Sequence, residues 1–322
     1  MRQGKIMAIN KGKIVVVMGG PSAEAEVSRC SGGAILKALQ EKGYNAAGLE
    51  FQPKSFLEQI SNQEPAIVFN AMHGAYGEDG RLAALLDCLE IPYTSSGVLA
   101  SAVTMDKCAA KSVLLAAGIP TPASVSLFSY EDRGEQVLQV ERHLSYPVIV
   151  KAAEQGSTIG VYKAAGKAEL SGALEMAFSY GKTVLVEKII QGPELTAAVW
   201  GGNGQAETLP VIEITTVTGS YDYETKYKPG ASAHIIPARI SEAADEKVRE
   251  LAKRAFIACG LSGIARIDFM LGPDDVPYVI DINTVPGMTE TSLVPDAAAA
   301  IGIDFPDLCE RILALAGFKR DI

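Results

Sequence analysis

The 322 residues are 48% hydrophobic and 21% charged, with 31 glycines and 16 prolines, the make-up of a compact folded chain, so disorder and collagen-like repeats are excluded. A formal net charge of −9 leaves no basic footprint for nucleic acid and would be repelled by an anionic membrane surface; any anionic substrate has to be held by local cations. The length is beyond a single core, which predicts two or three domains. Residues 1–11 read as an extension that is poorly tied down, and no apolar run approaches the ~20 residues of a membrane span. The five cysteines (Cys30, Cys88, Cys108, Cys259, Cys309) are widely spaced in apolar, helix-like sequence, and the expectation is that they are reduced and buried in a cytoplasmic protein.

In chain order, "IVVVM" (14–18) is a β-branched strand, Gly19-Gly20-Pro21-Ser22 is a turn with Ser22 as helix N-cap, and Ala23 to Lys42 follows a helical pattern. "YNAAGLEF", "SFLEQI", "AIVFNAM" (66–72), "RLAALLDCLE" and "IPYTSS" continue the alternation of strand and helix, which predicts a parallel sheet covered on both faces and ending near Gly97. His73 follows the strand ending near Met72, at the carboxyl edge where open α/β sheets bind ligands. A lone histidine is more often structural. Glu24 is expected in the first turn of the first helix, where complementing the helix dipole is role enough.

Val98 to Ala117 reads as helix, and "GIPTPASVSL" returns to extended chain. "YPVIVKAA" and "TVLVEKII" are strands bracketing a glycine-rich turn and a short helix. Lys151 ends the first of them, and Gly156, Ser157, Thr158 and Gly160 form a loop able to offer N–H groups to phosphate, or simply to turn a hairpin. The remainder, 189–322, begins with strands ("ELTAAVWGG", "TLPVIEITT"), continues with a helix from Glu242 to Cys259 and ends with a hairpin and a last helix. Lys226 and Tyr227, in "YDYETKYKPG", lie in a loop that could close over a site, although a solvated charged loop has the same composition.

The hairpin "RIDFMLGPDDVPYVIDIN" (266–283) carries the most specific information. Alternation puts Arg266 and Asp268 on one face, Asp281 and Asn283 on one face, and a turn centred between Asp274 and Asp275 sets 268 opposite 281 and 266 opposite 283. Three oxygen donors beside an arginine suit a hard divalent cation with a bound anion. An Arg/Asp salt bridge on a solvated face satisfies the same spacing. Val279 and Met270, expected to continue that face as apolar residues, make the charges a cluster and favour the site. In "NTVPGMTETSL", Gly287 can bring its N–H close to a ligand and Ser292 adds a hydroxyl, or the stretch is a structural turn.

Taken together and in order, "GGPSAEAEVSRCSG", "HGAYGEDG", "PYTSSGVLASAVTMDK", "VIVKAAEQGSTIG", "EKIIQGPELT", "YDYETKY", "ARIDF" and "DINTVPGMTETSLVP" resemble the D-alanine:D-alanine ligases of the ATP-grasp superfamily over residues 13–318. The resemblance implies an α/β and α+β chain with three-domain ATP-grasp architecture: a Rossmann-like parallel-sheet domain (12–97), a central lobe (98–188) and a C-terminal lobe (189–322), the two lobes sandwiching ATP. It implies ATP-dependent ligation of two D-alanine molecules through a D-alanyl phosphate, for peptidoglycan. Lys107, Lys151 and Lys226 would contact ATP phosphates under the loop of Gly156 and Thr158. Glu187, Lys188 and Ile190 would line the adenine pocket, with Glu194 on the ribose. Asp268, Asp281 and Asn283 would hold two magnesium (or manganese) ions. Glu24, assisted by His73, would hold the first ammonium and join Ser157 and Tyr227 in a network. Arg266 and the Gly287 N–H would stabilise the oxyanion. Ser292 and Leu293 would bind the second D-alanine. Dimers are common in the family, and no interface signature is visible in this sequence. Two positions depart from the family pattern: Asp281 stands where Glu is usual, so that either the backbone shifts by about one methylene or one metal is held more weakly, and Ala152 stands where Pro is common. The rival readings are an ATP-grasp ligase for another D-amino or D-hydroxy acid and a nucleotide-binding homologue without turnover.

Overall fold

The computed structural model describes residues 12–216, 232–289 and 291–317; residues 1–11, Lys226 and Tyr227 lie outside the described residues. β1 (Ile14–Met18) is the middle strand of a parallel sheet. Its residues alternate between two cores: Ile14 and Val16 pack with Ile35 and Leu39, while Val15 and Val17 pack with Phe56, Ile60, Leu82 and Leu86. Burial on both faces is why the strand is an unbroken apolar run. α1 (Ala25–Glu41) starts two residues later than expected, with Glu24 at the N-cap. Ser22 is the reason: its hydroxyl accepts from the Glu24 N–H at 3.2 Å and donates to the His73 carbonyl at 2.8 Å, tying the turn after β1 to the segment after β3.

β2 (Ala46–Glu50), α2 (Phe56–Gln63), β3 (Ile67–Asn70) and α3 (Arg81–Cys88) complete this unit, with sheet order β2-β1-β3. The helical stretch after Gly97 is two helices, α4 (Val98–Met105) and α5 (Lys107–Ala116), where the sequence reads as one. Asp106 breaks it: the residue is extended and its carboxylate caps the new helix, accepting from the N–H groups of Cys108 (2.8 Å) and Ala109 (3.0 Å). The break makes Lys107 the first residue of a helix.

β4 (Ser124–Phe128), α6 (Arg133–His143), β5 (Val148–Ala152), β6 (Val161–Ala164), α7 (Lys167–Phe178) and β7 (Thr183–Lys188) form an antiparallel sheet of order β4-β7-β5-β6 with both helices on one face. Val148, Val150, Val184 and Val186 point into that helical core. Alternation therefore turns Lys151 and Glu187 to the opposite face, together.

β8 (Glu194–Gly202), β9 (Gln205–Thr208), β10 (Ile212–Thr216), β11 (Ser232–Ile235), α8 (Glu242–Ala258), β12 (Gly263–Leu271) and β13 (Pro277–Asn283) supply an antiparallel sheet of order β11-β10-β8-β12-β13, with β9 beside β8. α8 covers one face through Val248, Leu251, Ala255 and Phe256 against Ala265, Ile267 and Phe269. α9 (Leu293–Ala299) and α10 (Phe305–Ala314) return to pack beside α1. The cysteines are all free, but only Cys259 and Cys309 are buried; Cys30 and Cys88 lie on exposed helix surface and Cys108 is intermediate, which corrects the expectation of five buried thiols.

Candidate active site

The hairpin register is the expected one where it matters: Arg266 pairs with Asn283 and Asp268 with Asp281. One detail differs. The register shifts after Asp268, so that Phe269 faces Val279 and Ile280 is the extra residue of a β-bulge. Val279 thereby leaves the polar face and enters the core under α8, 2% exposed, while Tyr278 sits opposite Met270. The polar cluster ends in Met270 and Tyr278, and Val279 does not belong to it.

Arg266 grips Asp268 with two parallel bonds, Nε to Oδ1 at 2.8 Å and a terminal nitrogen to Oδ2 at 2.7 Å, and Thr196 of the neighbouring strand β8 donates to Oδ1 at 2.6 Å. Asp281 faces a cleft with Lys107 Nζ 3.5 Å away. That ammonium also donates to the Gln155 carbonyl at 2.8 Å, so the first residue of α5 ties β13 to the glycine loop. The space in and over the cleft, open solvent included, is roughly 960 Å3. Of the residues singled out from sequence, Glu24, His73, Lys107, Gly156, Ser157, Arg266, Asp281, Asn283, Gly287, Ser292 and Leu293 line it, drawn from all three sheets' surroundings. At one end Ser157 donates to Glu24 Oε1. Gly156 lies against the same carboxylate: a Cβ there would come within 2.8 Å of Glu24 Oε2, so a larger residue would have to displace the carboxylate or the loop. At the other end Ser292 Oγ accepts from the Thr289 N–H at 3.0 Å, and a Cβ on Gly287 would lie 2.9 Å from it.

Lys151 and Glu187 stand apart from this lining. The Glu187 carboxylate is enclosed, 2% exposed, between Lys111 Nζ at 2.5 Å and Lys151 Nζ at 2.6 Å. A buried carboxylate has to be compensated by charge, and two lysines do it here. Burial opposes ionisation of Glu187, but the two ammonium groups outweigh it and hold the carboxyl below its ordinary range. Burial likewise lowers Lys111, whereas for Lys151 the charges of Glu187, Asp281 and Glu194 prevail over burial and raise it. The triad adjoins the cleft, since Lys107, Lys111, Glu187 and Asp281 share a smaller recess. Thr158, Lys188, Ile190, Glu194 and Asp268 do not line the main cleft; Thr158 follows the loop in a left-handed conformation (φ 64°), and the Lys188 side chain is exposed at the end of β7.

Glu78, Lys111, Thr196 and Ser31 were not singled out from sequence. Glu78 lines the cleft and is nearly inaccessible, accepting from the N–H groups of Gly74 (2.6 Å) and Val285 (3.3 Å). Burial, then the charge of Glu24, pushes its carboxyl up to about 8 against those two hydrogen bonds. Its signal was an acid within the glycine-rich "HGAYGEDG", which any surface turn could also carry. His73 is buried, which lowers its basicity; Glu24 pulls the other way without prevailing, and Arg266 adds to the lowering.

Two carboxylates side by side on the ladder and the Asn283 amide fit a hard divalent cation by donor chemistry. Among the described residues no three His, Cys, Asp or Glu side chains are gathered closely enough to hold a metal by themselves. A cation at Asp268, Asp281 and Asn283 would therefore complete its shell with phosphate and water oxygens, the habit of magnesium.

Residues 113–314 match the family model described as D-ala D-ala ligase C-terminus. The chain is 46% identical over 308 residues to the D-alanine–D-alanine ligase of Desulforamulus reducens (94% of this chain, 98% of the relative) and 45% identical over 307 residues to that of Moorella thermoacetica (94% and 99%). Among solved structures it is similar to the D-alanine–D-alanine ligase from Bacillus anthracis complexed with ATP (TM-score 0.80, 29% identity, 94% of this chain and 97% of that one). It is also similar to the VanG D-Ala:D-Ser ligase from Enterococcus faecalis (TM-score 0.82, 28% identity, 94% and 98%). No helix among the described residues is long and apolar enough to cross a membrane. A family model spanning more than half the sequence, and near full-length relatives at this identity, place the chain in the D-alanine:D-alanine ligase family of ATP-grasp enzymes.

Proposed function

We propose that the chain joins two D-alanine molecules at the expense of ATP in the cytoplasm, supplying a dipeptide for peptidoglycan. The observation that carries the reading is one cleft in which an acid–hydroxyl pair (Glu24, Ser157), an arginine (Arg266) and a glycine turn leading to Ser292 face one another. In this reading 12–97, 98–188 and 189–322 act as three units, the latter two closing on the nucleotide.

The carboxylate oxygen of the first D-alanine attacks the γ-phosphorus, the bond to the β-phosphate oxygen breaks, and ADP leaves an acyl phosphate. Glu24 holds the ammonium of that substrate, and a neutral His73 places no opposing charge beside it. The amine of the second D-alanine, seated by Ser292 and Leu293, then attacks the acyl carbon. Arg266 and the Gly287 N–H take the charge that develops on the oxygen, which is where fixed donors contribute most. The bond from the acyl carbon to the phosphate oxygen breaks, phosphate departs, the nitrogen releases one proton, and the peptide bond is complete. Lys107, Lys151 and Lys226 hold phosphates under the Gly156–Gly160 loop, and Tyr227 joins Ser157 and Glu24. Glu187, Lys188 and Ile190 line the adenine pocket, with Glu194 on the ribose. Magnesium or manganese held by Asp268, Asp281 and Asn283 supplies charge neutralisation of the transferring group.

The test is ADP release with magnesium, ATP and D-alanine, with the product identified by mass spectrometry. The expected result is release that requires D-alanine and yields one dipeptide per ADP; release independent of D-alanine sinks the reading. Likeness to a D-Ala:D-Ser ligase supports a second reading, in which the second substrate is another D-amino or D-hydroxy acid. Competition of D-serine and D-lactate against D-alanine decides between them.

A further inference from the structure

The described residues between β13 and α9 are in no regular secondary structure, so the shape of the turn that carries Gly287 depends on what its peptide groups bond to. The Val285 N–H is taken by Asn283 Oδ1 at 3.0 Å and Glu78 Oε1 at 3.3 Å. The Met288 N–H donates to Ser31 Oγ at 3.2 Å. Ser31 belongs to α1, has no exposed surface, and its hydroxyl also lies 3.1 Å from His73 Nε2.

A serine hydroxyl has one proton to donate and lone pairs to accept with. A backbone N–H only donates, so the Ser31 oxygen accepts from Met288; among the described residues the only other group bonded to this buried hydroxyl is His73 Nε2, so the serine proton is satisfied only if it is directed to that nitrogen. That nitrogen is then the acceptor of a neutral imidazole, in keeping with the ring's burial, and the ring proton resides on Nδ1. The Val285 backbone favours the protonated ring but does not overcome the ring's burial. Donation runs from Met288 to Ser31 and from Ser31 to His73, so the buried serine joins the ring to the residue that follows Gly287.

We propose that Ser31 is a positioning residue for the ligation: it sets the tautomer of His73 and, through the Met288 N–H, holds the Gly287 turn in the cleft that Arg266 also lines. The inference rests on the ligase reading above. Ser31 touches no part of the cleft itself and acts only through His73 and the turn.

The experiment is Ser31→Ala, assayed for D-alanine-dependent ADP release and, in histidine-labelled protein, for the tautomer of His73 by 15N NMR. Alanine removes one oxygen from a helical site and is the better helix former, so the fold is retained. The expected result is a kcat lower by roughly tenfold, what one lost buried hydrogen bond amounts to, with KM for ATP within about twofold of the parent. Alongside it, the wild-type ring is neutral and protonated on Nδ1, and the variant loses that single tautomer. A kcat within twofold of wild type overturns the proposal, and so does a fall in kcat with the tautomer unchanged. Should the variant not be recovered folded, the wild-type spectrum decides: a ring protonated on Nε2, or charged at neutral pH, contradicts the assignment. Absence of D-alanine-dependent turnover in the wild type is a failure of the ligase reading and leaves the tautomer to be read on its own.

Discussion

Removing Lys111 tests the account of the buried triad. Its ammonium is 2.5 Å from Glu187 Oε1 and 2.5 Å from the Pro122 carbonyl, and the Lys111, Glu187 and Lys151 side chains are 8%, 2% and 10% exposed. Breaking a buried pair by deleting one partner costs about 3–5 kcal/mol. Glu187 retains Lys151, which puts Lys111→Met at the low end, about 3 kcal/mol, and the stranded Pro122 carbonyl adds about 1 kcal/mol. Glu187→Gln leaves two buried ammonium groups facing each other and is destabilising by a similar amount. Because both single changes remove the same interaction, the double variant falls short of their sum by about 2 kcal/mol. The measurement is urea unfolding of the four proteins followed by circular dichroism. Additivity within about 0.5 kcal/mol would refute the reasoning, since it would mean that solvent screens the pair and Glu187 needs no lysine.

Three further outcomes are expected. Asp281→Glu lengthens the carboxylate that faces the cleft beside Lys107, and half-saturation by magnesium in the ADP-release assay moves to lower concentration; an unchanged or higher value means that the shorter side chain already fits the ion. Gly156→Ala drives a Cβ to 2.8 Å from Glu24 Oε2, and D-alanine-dependent kcat drops by about tenfold or more as the loop withdraws by the ~1 Å that costs catalysis its alignment. In acid, Glu187 has a folded carboxyl depressed below its ordinary 4.5, so its contribution to stability is complete above that value and is lost as pH falls through the depressed one. A stability–pH curve should therefore lose a descending limb below 4.5 in Glu187→Gln, and identical limbs in both proteins would contradict the assignment.

Much of the site was legible because period-two alternation and a short turn specify a hairpin register locally. Arg266 opposite Asn283 and Asp268 opposite Asp281 follow from counting. Val279 escaped the count because a bulge inserts one residue, and what selects the bulge is the apolar core under α8 drawing Val279 inward. The helix break at Asp106 carried a local signal, an aspartate before "KCAAK", which the continuous apolar pattern obscured.

The residue types themselves determined the alternation of strand and helix, the cluster of oxygen donors beside an arginine, and membership in a family whose motifs occur in order along the chain. Tertiary structure alone decided which lysine faces which carboxylate. Lys111 and Glu187 are far apart in sequence, and nothing between them announces that a helix and a strand will share a dry recess. The same holds for Ser31, His73, Glu78 and the 285–288 turn, which three separate segments bring together. Buried polar groups take partners from whatever the packing places beside them, and packing is a property of the whole chain.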